Sequence, residues 1–253
     1  MISRQVIVLL LATLALASAQ RWVLAWSDEF DGNSIDQSKW NFEQGAGGWG
    51  NNELEFYTNR PQNAYVSGGN LVIQALREDY GGAQYTSARM KTQGKFSTVY
   101  GKFEMRAKLP FGQGIWPAFW LLGDNISQVG WPACGEIDIM EFIGRDPNHV
   151  YGSTHGTGFD TSNAYENNAG FSNDFHIYSA NWQPDFIEFA VDGNTYRVVT
   201  PLDAHGNWPF NNHNMFILLN LAVGGNWPGN PDASTQFPQQ YVIDYVRVWE
   251  LAL

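Results

Sequence analysis

The chain has 253 residues, of which 44% are hydrophobic and only 15% are charged, with a formal net charge of −11. This charged fraction lies below the roughly 25% typical of soluble domains, which argues against a disordered chain, a coiled coil or a helical bundle. The negative charge repels phosphate groups, so nucleic acids and anionic membranes are poor partners and a neutral ligand suits the protein better.

The segment 1–19 is predicted to be a secretory signal peptide. Arg4 supplies its positive charge, an apolar run follows from Val6 to Ala17, and the run ends in small residues typical of a cleavage site. The run is too short to span a bilayer roughly 30 Å thick. We therefore expect a secreted, extracellular protein without a membrane partner, folded as a single domain over residues 20–253.

The rest of the chain has the pattern of an all-β protein, because short apolar or alternating runs are separated by clusters of Gly, Asn, Asp and Pro. From Phe103 to Leu109, apolar and charged residues alternate, which predicts a strand with one solvated face. No window of helical length has a clean helical period. Many strands at this spacing predict one antiparallel sandwich or barrel. The predicted strands are Asn70–Leu76, Tyr100–Leu109, Ile115–Leu122, Glu136–Ile143, Val150–His155, Phe175–Trp182, Phe186–Val191, Thr195–Val199, Met215–Val223 and Val242–Glu250.

Two generic motifs carry little weight. The glycines of Gly45–Gly50 match a dinucleotide-binding pattern letter by letter, but no strand–helix unit surrounds them, so a flexible loop bearing a tryptophan is the better interpretation. The five histidines lack zinc-type spacing, and Cys134 has no second cysteine with which to form a metal site.

Three carboxylates lie close together in one otherwise apolar predicted strand: Glu136, Asp138 and Glu141. A regular strand would place Glu141 on the face opposite the other two. One extra residue at Ile139–Met140, a β-bulge, would return Glu141 to their face. Like charges raise one another's pKa, so a site that needs one ionised and one protonated carboxyl explains this cluster better than a solvated strand does. A calcium site is the other alternative, but one strand face would supply an incomplete ligand shell.

The segment from Glu136 to Glu141 resembles the E-x-D-x-x-E signature of glycoside hydrolase family 16, in the form found in laminarinase-type endo-β-1,3-glucanases. The resemblance implies a jelly-roll β-sandwich of two antiparallel sheets, similar to concanavalin A, with a concave sheet forming an open substrate cleft. Further matching segments follow in the family's order: Trp26–Asp31, Asn51–Glu53, Tyr57–Thr58, Ser87–Arg89, Trp116–Leu122, Gly152–Gly156, Asn220–Gly229 and Asp244–Val248.

The resemblance also implies roles for the three carboxylates. Glu136 would be the nucleophile, Glu141 the general acid/base, and Asp138 the residue that holds Glu136 in place and helps to keep Glu141 protonated. The implied chemistry is retaining hydrolysis through a glycosyl-enzyme, for which the two glutamate carboxyls must lie about 5–5.5 Å apart. It uses no catalytic cofactor.

A second set of residues is expected to bind the sugar. Trp116 and Trp120 are four positions apart, so a regular strand places both indoles on one face. Trp227 lies in a loop of Gly, Asn and Pro, where a bulky apolar side chain is costly unless it contacts a ligand. Tryptophans in the sandwich core and a core histidine at position 155 are the structural alternatives. By the resemblance, the residues that line the subsites are Asn51, Arg89, Trp116, Trp120, His155 and Trp227.

The resemblance further implies a structural Ca²⁺ ion held by Glu29, the carbonyl of Gly69 and Asp244, all on the side away from the cleft. Tying both ends of the chain to one cation would suppress terminal fraying. The alternative is that Glu29 and Asp244 make ordinary hydrogen bonds.

Taken together, the sequence predicts a secreted, monomeric endo-β-1,3-glucanase that hydrolyses laminarin-like glucans. Activity on mixed β-1,3/1,4-glucans is one alternative. A non-catalytic β-glucan recognition protein with the same fold is another. Recognition proteins of that class lack the catalytic glutamates, whereas Glu136 and Glu141 are both present here, and this favours the enzyme.

Overall fold

Two β-sheets contain all the strands in residues 21–252, the part of the chain that this computed structural model describes. The predicted signal peptide lies outside the described residues. Within this part, no helix has the length and apolarity needed to cross a membrane. The elements in chain order are β1 (Arg21–Asp28), β2 (Asn41–Glu43), β3 (Glu55–Tyr57), β4 (Ala64–Ser67), β5 (Asn70–Tyr80), β6 (Ala83–Ser87), β7 (Arg89–Lys91), β8 (Gly101–Lys108), β9 (Ile115–Gly123), α1 (Ile126–Val129), β10 (Glu136–Phe142), β11 (His149–Gly156), β12 (Phe159–Glu166), β13 (His176–Gln183), β14 (Phe186–Val191), β15 (Asn194–Val199), β16 (Met215–Val223) and β17 (Gln239–Ala252).

The smaller sheet, here called the cleft sheet, has seven strands in the order β12-β11-β10-β9-β16-β7-β2. The larger sheet has ten strands, with the path β15-β14-β13-β8-β17-β5-β6-β3 and with β1 and β4 added beside β17 and β5. Neighbouring strands are antiparallel except for β3 and β6. The predicted jelly-roll β-sandwich is confirmed.

All ten predicted strands are present. Apart from the eight-residue β1, the strands that the sequence did not predict are short or lack an apolar face. β2, β3 and β7 each have three residues, and β12 is an exposed edge strand of mostly polar side chains. Hydrophobic periodicity is a weak signal in such segments, because edge and three-residue strands bury too few side chains to require it.

The core lies between the two sheets. On β8, the alternation of the sequence turns Phe103, Met105 and Ala107 fully inward, while the charged residues between them stay half-exposed. Trp40 and Trp182 are also part of this core. Burial of large aromatic side chains contributes much of the driving force for folding, so these tryptophans have a structural role.

The bulge predicted in β10 is confirmed by the strand register. Asp138 lies opposite Trp120 of β9, but Glu141 lies opposite Ala118, so three steps on β10 match two steps on its neighbour. The register to β11 shifts in the same place. Ile139–Met140, at the shift, are both buried in the core. The extra residue therefore keeps Glu141 on the same face as Asp138.

Register across the cleft sheet aligns functional side chains in a row. Residues opposite each other on neighbouring strands share a face, so a row that crosses several strands marks one line of the cleft floor. The row through the bulge is Tyr151, Glu141, Ala118, Asn220, Arg89 and Glu43.

Candidate active site

The three carboxylates of β10 form the centre of the cleft sheet's outer face. Asp138 is 3% exposed, whereas Glu136 and Glu141 remain partly open to the cleft. Glu136 and Asp138 lie close enough for the charge of Asp138 to raise the pKa of Glu136. Two adjacent buried carboxyl groups repel each other when both are ionised, so the pair favours a state with one proton.

Burial raises the pKa of all three carboxyl groups. Burial, followed by the charge of Asp138, raises the pKa of Glu136 to about 8. Burial raises the pKa of Glu141 to about 7, while the nearby His155 lowers it. The pKa of Asp138 also rises, first through burial and then through the charge of Glu141. The cluster therefore retains protons near neutral pH, as acid catalysis requires.

Each glutamate has its own hydrogen-bond donor. The indole N–H of Trp131 donates to Oε2 of Glu136 at 2.8 Å. The hydroxyl of Ser153 donates to Oε2 of Glu141 at 3.0 Å, and the indole of Trp116 also faces this carboxyl and lowers its pKa. Both glutamates are therefore oriented by donors from outside β10.

An aromatic wall stands beside Glu141. The ring of Trp227 packs edge-on against Trp116, with ring centroids 5.6 Å apart, and against Tyr151, with centroids 5.0 Å apart. Trp227 and Tyr151 keep part of their surface in the cleft. A sugar ring has an apolar C–H face and a rim of hydroxyl groups, so aromatic faces of this kind suit it.

Arg89 forms the opposite part of the cleft. Its guanidinium lies 4.9 Å from the ring centre of Trp49 and 4.8 Å from that of Trp120. Its Nε donates to Oε2 of Glu43 at 2.5 Å. Trp120 is only 9% exposed and lies largely beneath Arg89. Its main role is therefore to hold Arg89 in place, and little of its own surface is open to the cleft.

Asn51 lies on the loop before β3, half-buried at the cleft edge. Its side-chain amide donates to Oε1 of Glu53 at 3.1 Å. Its backbone carbonyl accepts a hydrogen bond from the N–H of Asn226 at 2.8 Å, which ties this loop to the loop that carries Trp227.

Comparison with known proteins decides the family. The profile of glycosyl hydrolases family 16 matches residues 37–247, most of the chain. This chain belongs to family 16. It is therefore a glycoside hydrolase of the family to which the strand signature pointed, and enzymes of family 16 need no catalytic cofactor.

Among family 16 relatives, the glucan endo-1,3-beta-glucosidase of Cryptopygus antarcticus is 40% identical over 95% of this chain and 96% of its own length. The clotting factor G alpha subunit of Tachypleus tridentatus is 44% identical over 94% of this chain, which spans only 36% of that protein. The structure of the laminarinase catalytic domain from Thermotoga petrophila has a TM-score of 0.88 and 49% identity, covering 92% of this chain and all of that one.

His155 lies within the family 16 carboxylate cluster. Its Nε2 is 2.7 Å from Oδ2 of Asp138, and its Nδ1 is 2.8 Å from Oδ1 of Asp160 at the cleft rim. The ring is therefore held between two carboxyl groups, next to the indole of Trp131. Three side chains of this cluster could in principle hold a metal ion, because one ligand atom from each lies within 4.8 Å of the others: Glu136, Asp138 and His155. Acid–base chemistry already explains why these groups lie together.

The proposed calcium ligands have cationic partners. Both oxygens of Glu29 accept hydrogen bonds from Arg247, at 3.0 and 2.7 Å. Oδ2 of Asp244 accepts one from Arg106 at 2.5 Å. A hard cation needs several free oxygens, so this donor set does not fit Ca²⁺ unless an arginine moves. These contacts are the ordinary hydrogen bonds given above as the alternative to calcium binding. The calcium ion stays a prediction that rests on the family resemblance.

Several residues of the site were not found by sequence reasoning: Glu43, Trp49, Trp131, Tyr151, Ser153 and Asp160. Trp131 is 60% exposed in a Gly/Pro turn five residues before Glu136, the same kind of signal that drew attention to Trp227. Ser153 and Asp160 carry no comparable signal, because their relation to the carboxylates arises from pairing between β10, β11 and β12.

Proposed function

We propose that this family 16 enzyme is a secreted endo-β-1,3-glucanase that cleaves laminarin-like glucans with retention of anomeric configuration. The observation that carries the proposal is the bulge in β10, which puts Glu136 and Glu141 on one face with Asp138 between them. The names of the relatives agree with it, since they include an endo-1,3-beta-glucosidase and a laminarinase catalytic domain that share most of the chain.

In the first step, protonated Glu141 donates its proton to the glycosidic oxygen while the carboxylate of Glu136 attacks the anomeric carbon. The bond to the leaving sugar breaks and a glycosyl-enzyme ester forms. A pKa of about 7 suits Glu141 to this donation. Glu136 must be ionised, and the indole N–H of Trp131 stabilises its charge. In this reactive state the proton of the Glu136–Asp138 pair lies on Asp138, whereas in the resting enzyme the raised pKa of Glu136 keeps the proton on Glu136.

In the second step, Glu141, now ionised, takes a proton from a water molecule, and the water oxygen attacks the anomeric carbon. The ester bond to Glu136 breaks and Glu136 leaves as a carboxylate. Ser153 stabilises the charged form of Glu141 between the steps by donating to its Oε2. Two inversions at one carbon give net retention.

The side chains that form the walls of the cleft are suited to binding a neutral polysaccharide. Trp227 and Tyr151 present aromatic surface on one side, and Arg89 with Trp49 does so on the other. Glu43 pairs with Arg89, so the guanidinium carries little net charge to attract an anionic polymer.

The test is an assay of laminarin, lichenan, agarose and cellulose in parallel. We expect reducing ends from laminarin with the wild type and almost none with Glu136→Ser, while that variant still binds laminarin. Glu188→Ser, on the larger sheet away from the cleft, is the matched control and keeps wild-type activity. Proton NMR of the first product tests retention through the appearance of the β-anomer.

The other outcomes have clear meanings. Equal activity of wild type and Glu136→Ser overturns the mechanism, and binding without cleavage by the wild type identifies a recognition protein. Preference for lichenan identifies a mixed-linkage enzyme. N-terminal sequencing of protein from the culture medium tests secretion with cleavage after Ala19, and light scattering tests whether the protein is a monomer.

A further inference from the structure

A second pair of carboxyl groups lies beneath the wall that carries Asn51. Glu53 precedes β3 and Glu55 begins it, and both are buried, Glu55 completely. Residues 53, 55 and 57 alternate along an extended chain, so Glu53, Glu55 and Tyr57 share one face. Neither glutamate takes part in the mechanism above.

The hydrogen bonds among the described residues leave one buried oxygen of this pair without a donor. Oε2 of Glu55 accepts the backbone N–H of Val223 at 2.7 Å, but its buried Oε1 meets no donor among the described residues. Both oxygens of Glu53 already accept, from Asn51 at 3.1 Å and from the Tyr57 hydroxyl at 3.0 Å. A buried oxygen without a partner is costly, as are two adjacent buried charges.

We propose that Glu55 carries a proton on Oε1 and donates it to Glu53, and that this acid pair is the positioning element for the glucan-binding walls of the cleft. The inference rests on the proposed function, because it assigns the pair a role in binding the glucan. The pair satisfies the hydrogen bonds of both side chains with a single negative charge, held on Glu53.

Three connections lead from the pair to the cleft. Glu53 holds the amide of Asn51 directly. Through Tyr57 it reaches Asn220, whose amide donates to the Tyr57 hydroxyl at 3.2 Å and accepts from the Trp120 indole at 2.8 Å.

The third connection leads to the opposite wall. Glu55 holds the N–H of Val223, the last residue of β16, immediately before the loop that carries Trp227. The N–H of Leu54, between the two glutamates, donates to the carbonyl of Val223 at 2.8 Å. Glu55 is thus a positioning residue for both walls. It acts on them indirectly, through Glu53 on one side and through the backbone of Val223 on the other.

The surroundings of the pair give it a pH dependence. Burial raises the pKa of Glu55, and the charge of Glu53 raises it further. The other titratable groups that face the pair are Tyr57, whose pKa burial also raises, and Arg89, which is paired with Glu43. The raised pKa favours the protonated form of Glu55. Ionisation of Glu55 as the pH rises adds a second buried negative charge and removes the proton that the proposed bond to Glu53 requires.

The test measures binding without catalysis. In the Glu136→Ser background, the Kd of a β-1,3-linked glucose tetramer is measured by calorimetry at pH 6 and pH 9, alone and combined with Glu55→Gln or Glu55→Leu. The neutral amide of glutamine can accept from Val223 and donate to Glu53, whereas leucine can do neither. Glu78→Gln, an acid on β5 paired with Arg60, is the matched control.

We expect Glu55→Gln to bind at pH 6 within about twofold of the background and Glu55→Leu to bind about tenfold more weakly. From pH 6 to pH 9, the Kd should rise at least about threefold more with Glu55 in place than with Glu55→Gln. Glu78→Gln should match the background at both pH values.

Two results would overturn the acid pair: equal loss of binding in Glu55→Gln and Glu55→Leu, or the same pH dependence with and without Glu55. Thermal melting checks that each variant is folded, and if Glu55→Leu is not, the pH comparison with Glu55→Gln decides alone. Hydrolysis of laminarin by the wild type is measured alongside. If the wild type does not hydrolyse laminarin, the proposed function is overturned. If it does hydrolyse laminarin but the Glu55 variants give either of the two results above, only the acid pair is overturned.

Discussion

Trp131 donates its indole N–H to Oε2 of Glu136 at 2.8 Å, although Trp131 itself is 60% exposed. The hydrogen bond to a carboxylate is the charge-assisted kind and stabilises the ionised form of Glu136. The contact joins the rim of the cleft directly to Glu136, the proposed nucleophile.

Replacing Trp131 by phenylalanine should raise the pKa of Glu136, because it removes a donor that favours the charged carboxylate. The acidic limb of kcat/KM should then move upward by about half a pH unit, with roughly threefold lower activity at pH values below the limb. The pH–rate profile on laminarin measures this. Val129→Ala, an exposed apolar residue on α1, should leave the profile unchanged, and an unmoved limb in Trp131→Phe would contradict the assignment.

The buried catalytic cluster should make the protein less stable at alkaline pH. The pKa of Glu136 rises from 4.5 to about 8 on folding. Its neutral form therefore stabilises the fold fully below the unfolded value, and this contribution is lost as pH rises towards 8. Between pH 6 and pH 9, the free energy of unfolding should fall by on the order of 2 kcal/mol more in the wild type than in Glu136→Gln.

Urea unfolding at the two pH values measures this difference. Glu78→Gln is the control, because the hydrogen bond from Thr86 lowers the pKa of Glu78 and places its titration below this window. Parallel losses of stability in the wild type and Glu136→Gln would show that Glu136 is not protonated in the folded protein.

Arg89 should matter through its planar shape as well as its charge. Its guanidinium lies between the rings of Trp49 and Trp120, which an ammonium group cannot match. Arg89→Lys should therefore raise the KM for laminarin about tenfold with a smaller effect on kcat. Lys91→Arg is a matched control, since Lys91 pairs with the same carboxylate, Glu43. Equal KM values for Arg89→Lys and wild type would remove Arg89 from the binding surface.

Chelation should leave the melting temperature unchanged, because Arg247 and Arg106 already neutralise Glu29 and Asp244. Differential scanning calorimetry with and without EDTA, together with metal analysis of the purified protein, checks this. A lower melting temperature that added Ca²⁺ restores would establish the structural calcium ion and show that these arginines move.

Much of the fold was predictable because it depends on local alternation. The charged and apolar residues of β8 specify which face is buried without knowledge of any partner strand. The same logic suggested the bulge, since two adjacent apolar residues between carboxylates are explained by a strand with one extra residue, and the register confirms it. Strands as short as β3 were missed, although β3 carries the Glu55 carboxyl, because three residues do not establish a period.

The sequence by itself determined the fold class, the face of the catalytic strand and the family, because these follow from local patterns and from a signature of adjacent residues. Only the tertiary structure decided which groups form hydrogen bonds with these side chains. The hydrogen bond from Trp120 to Asn220 joins residues 100 positions apart, and the one from the N–H of Val223 to Glu55 joins residues 168 apart. Periodicity shows which way a side chain points, but which group meets it depends on the order and register of strands across the sheets.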